Sequence, residues 1–279
     1  MSITPSLEPA CLRVALKARE LHRKNTGLIL AFISSPDTPD PLLTAVIPAR
    51  NEEASIEAVI KECFRQAAQV LVVEGGSTDA TAAIATAAGA RVIRDPGLGK
   101  GAALRLAVEH VTTPVCVFVD ADGSHDPLDI PLLVTPIHQG KATHVQGSRL
   151  QGGSDELHGG WDEFFRLAGS AFITCLINVR FGTRLSDSQN GFRAIRTEAF
   201  RSLNLRSRHT TIEMELIMAS LSAGHTLLEV PTHERARTAG FSKISLAHPL
   251  TWLSYGAALV RGLCRPRPTL CAAQPNAAL

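Results

Sequence analysis

The chain has 279 residues, 45% of them hydrophobic and only 5% aromatic, with 28 Lys+Arg against 26 Asp+Glu. That length supports a sizeable aliphatic core. The balanced charge gives no argument for a nucleic-acid partner. Six scattered cysteines without a Cys-x-x-Cys pair argue against a zinc site or a disulfide framework, and a reducing cytoplasm is the simplest setting. No run of 18 apolar residues predicts a spanning helix.

In chain order, residues 1–40 read as an accessory helix and a linker punctuated by Pro and Asp. The pattern then changes. "LTAVIP" (43–48) predicts a buried strand and "EEASIEAVIKECFRQA" (52–67) a helix with Ile56, Val59, Ile60 and Cys63 on one face. "VLVVEGG" (70–76) predicts a strand, 78–90 an alanine-rich helix, "RVIRD" (91–95) a strand, 99–111 a helix, and "VCVFVD" (115–120) a strand. This alternation predicts a mostly parallel α/β sheet with helices on both faces. Beyond it, 144–150 reads as a strand, 161–179 as a helix, and 187–195 as a turn entering a strand. Residues 211–224 predict a helix, 226–231 a strand and 250–264 a core or surface helix, with a membrane-facing helix as the alternative. The proline-containing tail beyond 265 reads as disordered.

In such a sheet, ligands gather at the carboxyl ends of the strands. Polar clusters fall there in this chain: Arg50-Asn51-Glu52, Glu74-Gly75-Gly76-Ser77 and Asp120-Ala121-Asp122. Side chains two apart on an extended segment point the same way, so Asp120 and Asp122 can share one spot. A hard divalent cation, Mg2+ or Mn2+, would relieve their repulsion and keep positions open for phosphate oxygens. The alternative is a turn at Asp122-Gly123, with Asp126-Pro127 capping the next helix. Lys100, in Gly-Lys-Gly, begins a helix whose backbone N–H groups favour phosphate. Glu213 and Glu215, two apart, cannot share a helix face; Glu213 reads as a surface charge, with reach into the acceptor site as the alternative.

The segments "VIPARNEE", "VEGGSTDAT", "GKGAAL", "DADGSHDP", "GSR", "DSQNGFR" and "RARTAGFSK" occur in the order seen in inverting nucleotide-sugar glycosyltransferases of family 2. Over roughly 43–245 the chain resembles most the dolichol-phosphate or polyprenyl-phosphate mannosyltransferase branch. The resemblance implies a GT-A fold in a domain over 41–245, followed at 246–279 by a helix and tail. It also implies that Pro48, Ala49, Asn51 and Glu52 line the base and ribose. Gly76, Ser77 and Asp79 match the nucleotide loop, with Glu74 at its start and Lys100 in the Gly-Lys-Gly segment. Asp120, Ala121 and Asp122 would hold the metal and donor, with Ser124 a further metal contact. Arg237, Ser242 and Lys243 would close over the diphosphate. Two features depart from the family pattern: Glu74-Gly75 stands where Asp-Asp is usual, and Asp162 and Glu163 lie in a helix that is usually basic.

The expected reaction is transfer from a GDP- or UDP-sugar to an acceptor. A polyprenyl phosphate would call on Arg149 and Arg166, whose guanidinium forks suit phosphate. The bland reading of both arginines is pairing with Asp155, Glu156 or Asp162. A soluble hydroxyl acceptor would need a base, and Asp187 is a candidate for that or for holding its turn together. Nucleotidyl transfer and a non-catalytic nucleotide-sugar-binding module are the readings from other classes. The expected location is cytoplasmic, with peripheral contact to the inner face of a membrane; a homodimer remains open.

Overall fold

Residues 38–155, 161–237 and 249–266 are described in a computed structural model, the side chains of 161–166 and 249–251 excepted. The expected N-terminal helix and C-terminal tail, together with Ser242 and Lys243, lie outside the described residues.

Seven strands form one sheet: β1 Asp40–Ala49, β2 Ala67–Glu74, β3 Arg91–Arg94, β4 Val115–Phe118, β5 His144–Ser148, β6 Arg193–Arg196 and β7 Leu227–Pro231. Their order is β3-β2-β1-β4-β6-β5-β7. All neighbours run parallel except β6, which lies antiparallel to both β4 and β5. The expected mostly parallel α/β sheet is therefore present. The reversed strand, entered from the turn at 187–192, joins its two halves.

Alternation along the strands feeds two faces. Ala45, Ile47, Val70, Val72, Val115 and Val117 pack under the helix α1, Ile56–Phe64. Val46, Leu71, Val73, Cys116 and Phe118 pack on the other face. Strands apolar on both sides are what a covered parallel sheet requires. The helix α2, Thr81–Ala87, and the helix α3, Lys100–His110, fill crossovers. A short 3-10 turn, Pro127–Asp129, leads into α4, Ile130–His138.

Helix α1 starts later than its periodicity suggests. The backbone N–H groups of Glu52 and Glu53 donate to Thr81 and Asp79, so these residues belong to a loop clamp. The far end of the chain adds α5, Arg149–Gly152; α6, Trp161–Phe181; α7, Thr197–Ser202; α8, Ile212–Ser222; and α9, Pro249–Leu263. Helices α6, α8 and α9 share a third apolar cluster around Ile173, Ile177, Met214, Met218, Ala258 and Leu259.

The start of α3 departs from expectation. Its N–H groups at Gly101 and Ala102 donate to the Arg208 carbonyl, at 2.8 and 3.2 Å. The helix end is capped by backbone and does not wait for phosphate. Gly99 has φ 103°, open to glycine at low cost, and a Cβ on Gly101 would overlap the Ser207 carbonyl. The glycines of Gly-Lys-Gly thus let the 206–209 segment close over the helix. Gly101→Ala should destabilise the protein by about 1–3 kcal/mol through overpacking, read from urea denaturation. An unchanged midpoint would mean that this contact does not hold.

Candidate active site

The carboxyl ends of β1, β2, β3 and β4 lie on one edge, since Ala49 pairs with Glu74, Glu74 with Arg94, and Val46 with Phe118. Three groups of predicted residues assemble there or beside it.

The first comprises the loops after β1 and β2, which hold each other. Asn51, with φ 56°, accepts the Thr78 N–H at 2.9 Å on its Oδ1, and its own N–H donates to Ser77 Oγ at 3.0 Å. A left-handed backbone suits asparagine, which is enriched there. Glu53 Oε2 accepts the Ala80 N–H at 3.0 Å. Glu74 is buried, and its carboxylate accepts the Ser77 N–H. The longer Glu74 therefore folds back to cap its own loop. Asp79 lies below the usual carboxylate range, held chiefly by the Thr81 hydroxyl.

The second group is the Asp120-Ala121-Asp122 turn. Ala121 is buried; the two aspartates are partly open, with side chains 29% and 17% exposed. Asp120 Oδ1 lies 2.5 Å from Lys100 Nζ, which also reaches Glu213 Oε1 at 2.8 Å. Burial opposes ionisation of Asp120, but Lys100, supported by His125, drives the carboxyl well below its usual range. Burial likewise opposes the Lys100 charge, and Asp120 and Glu213 outweigh it.

Asp122 takes the turn role weighed as its alternative. Its Oδ1 accepts the Ser124 N–H and hydroxyl at 3.1 and 2.6 Å, closing the turn, while its Oδ2 faces Arg237 Nε at 3.3 Å. Asp126 caps the 3-10 turn through the Leu128 N–H, as expected from its place before proline.

His125 stacks on Phe192, centroids 4.8 Å apart. Its Nδ1 accepts the Asp120 N–H at 3.0 Å, which assigns the ring proton to Nε2, 3.9 Å from Asp120 Oδ2. Burial lowers its pKa.

The third group centres on Arg149. Its fork binds Asp187 at 2.7 and 3.1 Å, and its remaining nitrogen reaches Glu234 at 3.2 Å. Neither partner is among the acids expected for it (Asp155, Glu156, Asp162). Asp187 is buried and also accepts the Gln189 N–H at 3.0 Å. Burial would raise its pKa, but Arg149 brings the net shift below the usual carboxylate range. Glu234 joins this group to the second: it bridges to His125, and the next residue donates its N–H to the Ser124 carbonyl at 2.8 Å. The side chain of Arg166, on α6, lies outside the described residues.

Glu213 corrects the reading of a surface helix. It is 5% exposed, and besides Lys100 it faces Arg193, which is fully buried, at 3.3 Å. Glu215 is buried too, on the Arg206 and Ser207 N–H groups. Residues two apart on a helix point apart, and each glutamate meets its own partners. Gly191 is a residue that sequence reasoning passed over. A Cβ there would lie 2.7 Å from Lys100 Nζ and 3.0 Å from Asp120 Oδ2. The glycine of "NGFR" makes room for that ion pair. Arg193 carried no motif signal beyond lying in "DSQNGFR", and Glu234 lies just before "RARTAGFSK".

Among the described residues, no three His, Cys, Asp or Glu side chains converge to hold a metal by themselves. Two carboxylates suit a hard cation only if a ligand's oxygens complete its shell.

Residues 44–203 match the family described as Glycosyl transferase family 2. The chain belongs to glycosyltransferase family 2. It is 33% identical over 203 residues to an uncharacterised glycosyltransferase of Mycobacterium tuberculosis, covering 73% of this chain and 89% of the relative. It is 30% identical over 205 residues to a dolichyl-phosphate hexose transferase of Haloferax volcanii, covering 72% and 86%. The fold matches glucosyl-3-phosphoglycerate synthase of M. tuberculosis, crystallised with Mn2+, uridine diphosphate and glucosyl-3-phosphoglycerate, at TM-score 0.62 and 24% identity over 84% of each chain. This family 2 chain is an enzyme with the GT-A fold and with relatives in the polyprenyl-phosphate branch, so the binding-module reading falls away.

Proposed function

We propose that this glycosyltransferase moves a sugar from a GDP- or UDP-sugar to a polyprenyl phosphate, with inversion at the anomeric carbon. The observation that carries the donor half is the meeting of Asp120 and Asp122 with two cations, Lys100 and Arg237, at the carboxyl edge of the sheet. Asp120 and Asp122 would hold Mg2+ or Mn2+ together with the donor diphosphate. When bound, that ion supplies Lewis-acid stabilisation of the departing diphosphate. Arg237 adds a fixed positive charge for the same leaving group, and Ser242 and Lys243 complete it. The clamped loops carrying Pro48, Ala49, Asn51, Glu52, Gly76 and Ser77 form the base and ribose wall, with Glu74 setting the loop's shape.

Arg149 would receive the acceptor phosphate, joined by Arg166. A phosphate monoester is anionic near neutral pH and needs no base. One of its oxygens attacks the anomeric carbon opposite the diphosphate, and the bond to the diphosphate oxygen breaks. Asp187 and Glu234 position the Arg149 fork; Asp187, ionised and already bonded, suits that better than proton removal. The catalytic domain is assigned to 41–245. The likeness to a dolichyl-phosphate hexose transferase supports an enzyme that works at a membrane surface.

One observation favours a second reading. Two carboxylates already neutralise Arg149, which leaves less positive charge for a phosphate and fits a soluble hydroxyl acceptor. The test is a radiolabelled nucleotide-sugar panel offered a polyprenyl phosphate in detergent, or small hydroxyl acceptors. Label moving into the lipid fraction supports the first reading. Label moving only into water-soluble product supports the second.

A further inference from the structure

The Arg149–Asp187 pair joins two short pieces of chain with little structure of their own. Helix α5, which begins at Arg149, is a single turn, and Asp187 lies in the irregular segment that enters β6. One carboxylate fastens both: Glu229, on the edge strand β7. Its Oε1 accepts the Asp187 N–H at 2.9 Å, and its Oε2 accepts the Ser186 N–H and the Ser186 hydroxyl, each at 2.8 Å. The same Oε2 accepts from Gln151 Nε2, on α5, at 2.7 Å. Hydroxyls close the ring between the two pieces. Ser148 Oγ lies 2.6 Å from Ser186 Oγ and accepts the Gln151 N–H at 3.2 Å, which caps α5.

Strand register puts Glu229 within reach of both. It pairs with Gln146 on β5, two residues before the Ser148 cap. Its donors are neutral N–H and O–H groups, so its charge holds chain in place. Burial pushes its pKa up, while the Asp187 and Ser186 N–H groups pull it back. We propose that Glu229 is the positioning residue for the acceptor arginine: it locks the Asp187 turn and the Arg149 helix together, which fixes the angle of the guanidinium fork. This deepens the acceptor reading above and rests on it for its purpose. Glu229→Gln is the probing change, because it keeps the size and turns one accepting oxygen into a donating NH2 that faces other donors.

The test labels the arginines of the full chain with 15N and follows solvent exchange of the Arg149 Nε–H, which donates to Asp187 at 2.7 Å. Its signal is identified by its loss in Arg149→Lys. The wild-type proton should exchange slowly, and Glu229→Gln should speed it roughly tenfold, in line with a lost hydrogen-bond acceptor. Glu198→Gln, at a carboxylate 84% exposed on α7, should leave it unchanged. In kinetics, Glu229→Gln should raise KM for polyprenyl phosphate in detergent roughly tenfold, with KM for the nucleotide sugar within about twofold of wild type. Exchange equal to wild type in Glu229→Gln overturns the inference. A matching rise in both KM values overturns it too, because a loosened fold would do the same. If Glu229→Gln does not fold, Gln151→Met removes one donor at the exposed end of the ring and should speed the same exchange about threefold; no change there overturns the inference. Faster exchange with KM for polyprenyl phosphate unchanged upholds Glu229 as the holder of Arg149 and sinks Arg149 as the acceptor site. Wild type that transfers nothing to polyprenyl phosphate sinks the acceptor reading, and the exchange result then decides Glu229 alone.

Discussion

Asp120→Asn is expected to lower sugar transfer by roughly a hundred- to a thousandfold, in line with losing one group that stabilises the leaving-group charge. Asparagine keeps the shape and one acceptor oxygen but removes the negative charge. Lys100 then loses its 2.5 Å partner and keeps only Glu213. Stability should change little by comparison, because the Asp120 side chain is 29% exposed and its backbone N–H still donates to His125. Steady-state kinetics over a Mn2+ series, with denaturation curves in parallel, separates the two effects. Turnover within about threefold of wild type at saturating Mn2+ would remove Asp120 from the chemistry.

Glu213→Ala is expected to act on the fold. Arg193 is fully buried between β6 and α8, and Glu213 is its carboxylate partner at 3.3 Å. Burial pulls the guanidinium below its usual range, against Glu213, Asp187 and Asp120, so its charge is already disfavoured there. Two backbone carbonyls, of Glu213 and Asn190, also accept from it, and these survive the substitution. Removing one partner of a buried pair strands the other charge, at a cost of about 3–5 kcal/mol. Lys100 would lose its second carboxylate at the same time. Urea denaturation should show a midpoint well below wild type. A loss under about 1 kcal/mol would mean that Arg193 finds its compensation elsewhere.

The parallel half of the sheet was legible because its signals are local. Continuous apolar strands, a helical stripe at Ile56, Val59, Ile60 and Cys63, and polar clusters at strand ends all lie within a few residues of one another. The antiparallel insertion of β6 was not, because strand order depends on pairing between distant segments. The site divides in the same way. Asp120 and Asp122 could be read from their spacing at a strand end. Glu213 and Glu234 could not, because their roles depend on Lys100, Arg193 and Arg149, which lie far away in sequence. The Gly-Lys-Gly segment was half legible. Its lysine belongs to the charged centre, but its glycines serve packing against 206–209. Glu74 stood out only as a departure from the family's Asp, and its role in capping the loop that carries Ser77 shows in the folded loop alone.

The central claim is that the Asp120–Asp122 turn grips a cation jointly with a nucleoside diphosphate. The most direct measurement is the melting temperature of the full chain with GDP or UDP, each with Mn2+ and with chelator. Ligand bound to the native state alone raises stability by mass action, about 2.7 kcal/mol at a hundredfold excess over Kd. One nucleotide should raise the melting temperature with Mn2+ present and lose that effect with chelator. A nucleotide shift of equal size in chelator, or no shift with either nucleotide, would contradict it.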